Sequence, residues 1–155
     1  MPNHEMKFFT QAWWEAGCDN FEEVFRQYEN YLSGVREHLP PALLELEAQH
    51  TLHDAELKSL EANVAEQSVL LVLHGWDRKL QYKVRYALRF TGVSHLVQQL
   101  PAEEFVEQEF GDLGYWECEW LQPEVEVRML FVSSAMLAIR FTGFSFEHAR
   151  REPLR

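Results

Sequence analysis

The sequence has few cysteines, no long apolar run and few basic residues, and each shortage excludes a class of protein. The 155 residues include two cysteines, Cys18 and Cys118, which are too few for a disulfide scaffold and are typical of a reducing compartment. No apolar run approaches the ~18–20 residues that a membrane span needs, and no signal-peptide hydrophobic region follows residues 1–7. We therefore expect a cytoplasmic protein with no membrane partner.

Basic residues are outnumbered, since 14 lysines and arginines face 25 acids and the formal net charge is -11. The acids are concentrated: residues 101–124 contain eight acids and no base, whereas residues 66–100 contain two acids and five bases. A phosphate backbone would be repelled by most of this surface, so we expect no nucleic-acid partner. A basic protein would be attracted, although the charge can also serve solubility alone.

Recognisable catalytic sequence motifs are absent too. The sequence contains no Gly-x-Ser-x-Gly elbow and no phosphate-binding glycine loop, so no cofactor and no catalytic residue is predicted. What is present is 46% hydrophobic and 14% aromatic residues, enough for one core, and residues 1–155 are predicted to form a single domain.

Residues 1–50 are predicted to be helical. Thr10 can cap a short first helix, and Asp19 with Glu22 has the form of a capping box. A longer helix over residues 20–37 is indicated by apolar side chains that recur at helical spacing. These side chains are Phe21, Val24, Phe25, Tyr28, Leu32 and Val35. Pro40 and Pro41 end this helix and start a short one.

From residue 52 onward the pattern changes to strands. Residues 52–96 are predicted to form a first meander, with strands at 55–62, 69–73 and 80–90, the last alternating from Leu80 through Tyr82 to Phe90. Residues 69–73 are apolar at every position, which predicts a strand covered on both faces. Gly75 to Arg78 is predicted to be a turn that carries Trp76 at its tip.

Residues 114–148 are predicted to form a second meander after an acidic linker at 97–113. The segment Ala87-Leu88-Arg89-Phe90-Thr91-Gly92-Val93-Ser94 is repeated as Ala138-Ile139-Arg140-Phe141-Thr142-Gly143-Phe144-Ser145, with six of eight positions identical. The predicted fold class is α+β, with N-terminal helices packed on a mostly antiparallel sheet built from two similar three-strand meanders.

Two groups of residues are candidates for binding. Trp76 and the acids Glu103, Glu104, Glu107 and Glu109 are the predicted partner-binding residues, because an indole at a hairpin tip and a concentrated negative charge suit a basic protein partner. Metal binding is the alternative, through His50, His53, Asp54 and Glu56, since imidazole and carboxylate are metal ligands. Turn hydrogen bonds are the simpler explanation of His53 and Asp54.

Glu117 and Glu119 point the same way from one predicted strand. Paired carboxylates can perform acid–base chemistry. Cross-strand pairing with Arg128 and Arg140 is the simpler interpretation.

Several segments resemble the bacterial family called domain of unknown function 4085. They are Met6-Lys7-Phe8-Phe9-Thr10 with Trp13-Trp14, Leu52-His53-Asp54-Ala55, Gly114-Tyr115-Trp116-Glu117 and Val127-Arg128-Met129-Leu130-Phe131. The resemblance spans residues 6–148 and implies that residues 1–5 are an extension. The family has no established activity, so it supplies no catalytic residue.

The Leu-His-Asp segment at residues 52–54 also resembles one in small bacterial β-rich proteins thought to be toxin-immunity proteins. That likeness implies an acidic protein that masks a basic toxin surface. The function predicted from the sequence is therefore a non-catalytic protein-interaction module, with a metal-dependent enzyme or metal-binding protein as the alternative. An antiparallel sheet has edges that can pair, so a homodimer is compatible with this fold.

Overall fold

The computed structural model describes residues 4–100 and 111–151 as short helices followed by antiparallel strands, which confirms the α+β class. The helices are α1 (Gln11–Glu15), α2 (Phe21–Val35), which continues into the 3₁₀ helix Arg36–His38, and α3 (Pro41–Gln49). The strands are β1 (Glu56–Asn63), β2 (Ser68–Trp76), β3 (Lys83–Thr91), β4 (His95–Gln99), β5 (Leu113–Trp120), β6 (Val125–Phe131), β7 (Met136–Phe141) and β8 (Gly143–Arg151).

The strands form two four-stranded sheets that exchange their last strands. Sheet A has the order β1-β2-β3-β8, and sheet B has the order β4-β7-β6-β5. The two meanders are therefore β1–β3 and β5–β7. Strand β4, which follows the first meander, pairs with β7 of the second, and β8, which follows the second meander, pairs with β3 of the first. β4 occupies residues 95–99, so the predicted linker at 97–113 begins as a strand.

The repeated segments meet where the chain crosses between sheets. Thr91 lies opposite Gly143 in the register, and the backbone N–H of Thr142 donates to the carbonyl of Thr91 over 3.1 Å. A Cβ on Gly92 would lie only 2.0 Å from Oγ1 of Thr142, and one on Gly143 would lie 2.3 Å from Oγ1 of Thr91. The glycines therefore allow the two Thr-Gly pairs to pass each other in close contact.

The helical part differs from the prediction at one cap. The side chain of Thr10 accepts a hydrogen bond from Trp13 N, as predicted. The capping box is wrong, because Asn20 at φ 58° is the residue before α2 and its side chain makes no capping bond. Tyr28 and Leu32 are the buried residues of α2, as its apolar stripe predicts.

Strand β3 begins later than the alternation predicts. Leu80 is 65% exposed and Tyr82 is 37% exposed, because a turn organised by Asp77 occupies this stretch. The carboxylate of Asp77 accepts hydrogen bonds from the backbone N–H groups of Gln81 and Tyr82 at 2.5 and 2.9 Å. Such bonds compete with strand pairing. Trp76 is consequently the last residue of β2 and not the tip of the turn.

Candidate functional site

The outer face of sheet B carries a buried ionic network. Its members, from β5, β6 and β7, are Glu117, Glu119, Glu126, Arg128 and Arg140. The guanidinium of Arg128 contacts all three carboxylates, with Nε 2.8 Å from Glu126 and Nη1 3.4 Å from Glu117. The predicted pairing of Glu117 with Arg128 is thus confirmed, but the pair is buried, each side chain being 1% exposed.

The N-terminal segment covers this network. One carboxylate oxygen of Glu117 accepts from the backbone N–H groups of Phe8 and Phe9 at 3.0 and 3.1 Å, and the other accepts from Lys7 N at 2.8 Å. The imidazole Nδ1 of His4 lies 2.7 Å from Glu126. Because these carboxylates are bound by cations and by backbone N–H groups, we assign them to anchoring the segment and not to proton transfer.

The ionisation of the network agrees with this assignment. Burial alone would raise the pKa of Glu126, but hydrogen bonds from Arg128 and His4 outweigh it and leave the pKa below its usual value. The pKa of Glu119 is lowered in the same way, burial being outweighed by hydrogen bonds from Lys7 and Arg128. A general acid at neutral pH needs the opposite shift.

The residues predicted to bind a metal are not gathered into one site. His53 Nε2 lies 3.5 Å from Asp54, while His53 Nδ1 is 2.8 Å from the carbonyl oxygen of Gly114. The ring of His50 packs against His148, with centroids 4.5 Å apart, and Glu56 pairs with a lysine on its own strand. Across residues 4–100 and 111–151, no group of three or more His, Cys, Asp or Glu side chains could hold a metal ion.

Trp76 lies among cations on the outer face of sheet A. In the register it stands opposite Lys83, whose Nζ is 5.9 Å from the indole centroid, and Lys83 stands opposite Arg151 on β8. Arg85 and Arg89 follow on the same side of β3 and are exposed. Two acids lie on the same face, Glu147 opposite Ala87 and Glu61 opposite Leu70. We call this surface, comprising Trp76, Lys83, Arg85, Arg89 and Arg151, the basic face.

The basic face also contains apolar side chains. Leu70 and Val72 of β2 lie opposite Arg89 and Ala87 in the register. Leu70 is half-buried and Val72 is 8% exposed. Strand β2 was predicted to be buried on both faces, and it is fully buried only on its inner face. The other predicted partner-binding residues, Glu103, Glu104, Glu107 and Glu109, lie outside the described residues.

A cavity of about 380 Å³ lies between α2, α3 and the start of β5. Its aromatic walls include Phe25, Tyr115 and Trp116, and its polar residues include Glu47 and His53. Burial, followed by the charge of Glu29, raises the pKa of Glu47 to about 7. This carboxyl group is therefore poised to change charge near neutral pH.

Three segments that are distant in sequence, residues 6–14, 52–55 and 113–116, meet beside this cavity. Asp54 N donates to the carbonyl of Leu113 at 2.8 Å, and a Cβ on Gly114 would lie 2.2 Å from the ring of Trp14. Phe9 stacks on Tyr115 with centroids 5.3 Å apart. These segments are distant in sequence, and they form one packed unit around the aromatic wall.

Sequence reasoning missed two features. The first is the burial of Glu47, which is one of several acids in a helical pattern and is buried only because other elements pack against it.

The second is the cover over one sheet edge. The hydroxyl groups of Tyr28 and Tyr31 accept from the backbone N–H groups of Cys118 and Trp120 at 2.9 and 2.8 Å, so α2 covers the free edge of β5. Such edge protection prevents strand pairing with another chain.

Two comparisons with known proteins identify no relative. No protein-family model matches the chain, and no curated protein shows a significant match. The helices in the described part of the chain lack the length and apolar content required to cross a bilayer.

Proposed function

We propose that this chain is a non-catalytic protein-interaction module that binds an acidic protein segment through the basic face. The observation that carries the proposal is the placement of Trp76 beside Lys83, Arg85 and Arg151 on an exposed sheet surface. The four cations of the basic face outnumber the two neighbouring acids, Glu61 and Glu147, although the whole chain has a net charge of -11. A local excess of positive charge favours partners of the opposite sign.

The side chains of the basic face suit an anchor with a charged rim. Trp76 is half-buried, and Leu70 and Val72 provide an apolar strip on the neighbouring part of β2. Tryptophan and arginine are the residues most enriched among those that dominate binding energy. The cations at the margin of such a surface set the association rate and its salt dependence.

Single substitutions on the basic face, together with one control elsewhere, test this surface. We expect Trp76→Ala to weaken binding of a captured acidic partner by at least about tenfold, as the loss of an anchoring indole does. Arg85→Gln should slow association and reduce its salt dependence. Arg26→Gln is the matched control, because Arg26 is an exposed arginine on α2.

The test starts from proteins captured on the purified chain, with each retained protein then measured against the variants by surface plasmon resonance at two salt concentrations. A partner that is acidic and sensitive to Trp76 and Arg85 supports the proposal. Equal loss in Arg26→Gln, or binding that none of the variants changes, contradicts it.

A basic partner bound through Glu103, Glu104, Glu107 and Glu109 is the prediction made from the sequence, and it calls for a different experiment. Replacing these four glutamates with glutamine would abolish capture of a basic partner and leave an acidic partner bound. A basic partner bound through these glutamates would agree with the resemblance to toxin-immunity proteins. The resemblance to the bacterial family also stays a prediction.

Cytoplasmic location and homodimer formation also stay predictions of the sequence. Metal binding through His50, His53, Asp54 and Glu56 does so as well. Elemental analysis of untagged protein, together with melting curves with and without zinc, would test the metal, since a ligand that binds the folded state raises the melting temperature.

A further inference from the structure

A second cavity, of about 590 Å³, gathers cations from segments that are distant in sequence. It lies at the end of sheet A, where the β2–β3 turn, the end of β8 and the end of α3 meet. The turn contributes Arg78 and Lys79, β8 contributes Arg150 and His148, and His50 follows α3. We call it the basic cavity.

The described residues of the lining carry an excess of positive charge. Asp77 is the single carboxylate among them, and Arg78, Lys79 and Arg150 are the cations, which gives two more cations than anions with the histidines neutral. The oxygens of Asp77 already accept hydrogen bonds from the backbone N–H groups of Lys79, Gln81 and Tyr82. A ligand carrying its own negative charge is the complement of such a lining.

Contacts within the protein hold the cations in place. Nη1 of Arg78 donates to the backbone carbonyl of Ala48 at the end of α3. The guanidinium carbon of Arg150 lies 4.8 Å from the ring centroid of Tyr82, a cation–π distance. Because these side chains are already positioned, a ligand would pay less of the ordering entropy that weakens binding to mobile lysines and arginines.

We propose that the basic cavity binds a small, multiply charged anion, either a phosphoryl compound or a polycarboxylate. Both chemistries offer several oxygen acceptors, which guanidinium and ammonium groups recognise. The His50 and His148 rings, 4.5 Å apart, add nitrogen donors on the same wall. The volume of the cavity is within the range of small-molecule sites.

This site is separate from the basic face. Arg150 stands opposite Val84 in the register, whereas Arg151 stands opposite Lys83. Since alternate strand residues point to opposite faces, Arg150 and His148 face the inner side of sheet A and Arg151 faces outward. Loss of a protein partner at the basic face would therefore leave the basic cavity intact, and the two proposals fail independently.

Calorimetric titration with inorganic pyrophosphate and with citrate tests the proposal. We expect 1:1 binding of at least one of them, and a loss of at least about tenfold in affinity for Arg150→Gln, the usual effect of removing one charge-assisted hydrogen bond. Lys79→Gln should act in the same direction. Arg26→Gln is the matched control, because it removes an exposed arginine of α2 that belongs neither to the basic cavity nor to the basic face.

The pattern of results separates the ligand classes. Tighter binding of pyrophosphate identifies a phosphoryl ligand, and tighter binding of citrate identifies a polycarboxylate. The proposal is overturned if neither anion binds with a dissociation constant below about 10 mM, or if Arg26→Gln weakens binding as much as Arg150→Gln. Arg150 and Arg26 are both exposed, so the variants are expected to fold, and circular dichroism checks this.

Discussion

The outer faces of the two sheets contain related sequence but have opposite properties. Arg89 of sheet A and Arg140 of sheet B occupy the same position in the repeated segment. Arg89 is exposed, while Arg140 is 14% exposed and its Nη2 lies 2.9 Å from Glu126. The difference comes from the neighbouring strands, since Leu70 and Ser145 lie opposite Arg89, whereas Glu126 and His95 lie opposite Arg140.

The same comparison separates two roles for charge. On sheet B the charges are enclosed beneath residues 4–9 and contribute to stability, because each is paired. On sheet A Lys83, Arg85 and Arg89 are exposed to solvent and are available to a partner. A repeated strand pattern therefore specifies the topology of both halves, and the cross-strand partners decide what each face does.

The largest contrast is expected between arginine variants in the two sheets. Arg128→Met should lower the free energy of unfolding by about 3–5 kcal/mol, because it leaves buried carboxylates without their cation. Arg85→Met on the basic face should change it by less than about 0.5 kcal/mol, as exposed substitutions do. Urea unfolding of both variants measures the difference. Equal effects would refute the assignment of the sheet B network to stability.

Removing a tyrosine hydroxyl that hydrogen-bonds to strand backbone should also cost more unfolding free energy in sheet B than in sheet A. Tyr28→Phe removes the acceptor for the buried N–H of Cys118, at a cost of about 1–3 kcal/mol. Tyr86→Phe in sheet A removes the bond that its hydroxyl donates to the carbonyl of Trp76, worth about 0.5–1.5 kcal/mol. Thermal and urea unfolding would rank the two variants. A larger loss for Tyr86→Phe would contradict the role of α2 in covering the β5 edge.

Acid should weaken sheet B selectively. The pKa values of Glu119 and Glu126 are lowered in the folded protein, so the stabilisation they give is present above the unfolded-state pKa and is lost as the pH falls through the folded one. Glu119→Gln should cost about 1–2 kcal/mol at neutral pH, and this difference should shrink below about pH 4. A pH series of urea unfolding curves for wild type and variant measures it, and a constant difference would argue against the pairing.

Glu47 is expected to show the opposite pH dependence. Burial raises its pKa to about 7 in the folded protein, from an ordinary value of 4.5, so the folded protein holds the extra proton and loses stability as the pH rises between these values. Glu47→Gln cannot ionise and should be about 3 kcal/mol more stable than wild type at pH 8, with little difference at pH 4. A larger advantage at pH 4 would show that burial does not control this group.

Particular residues show where the sequence was informative. The stripe containing Tyr28 and Leu32 predicted α2, and the alternation from Val84 to Phe90 predicted β3, because both periodicities are local consequences of one buried face. Leu80 and Tyr82 fit the same alternation and were assigned wrongly, since the Asp77 turn uses backbone hydrogen bonds that no hydrophobic pattern reveals. Trp76 was predicted at the tip of a turn, whereas it is half-buried at the end of β2.

The α+β class, the antiparallel meanders and the helix across residues 21–35 were determined by the sequence itself, because hydrophobic periodicity is set by which side of a helix or strand is buried. Only the tertiary structure decided that β4 and β8 exchange sheets, that Glu117 holds residues 7–9, and that Arg78, Arg150 and His50 line one cavity. These arrangements depend on contacts between residues far apart in the chain, and a local pattern contains no information about which distant residue will be its neighbour.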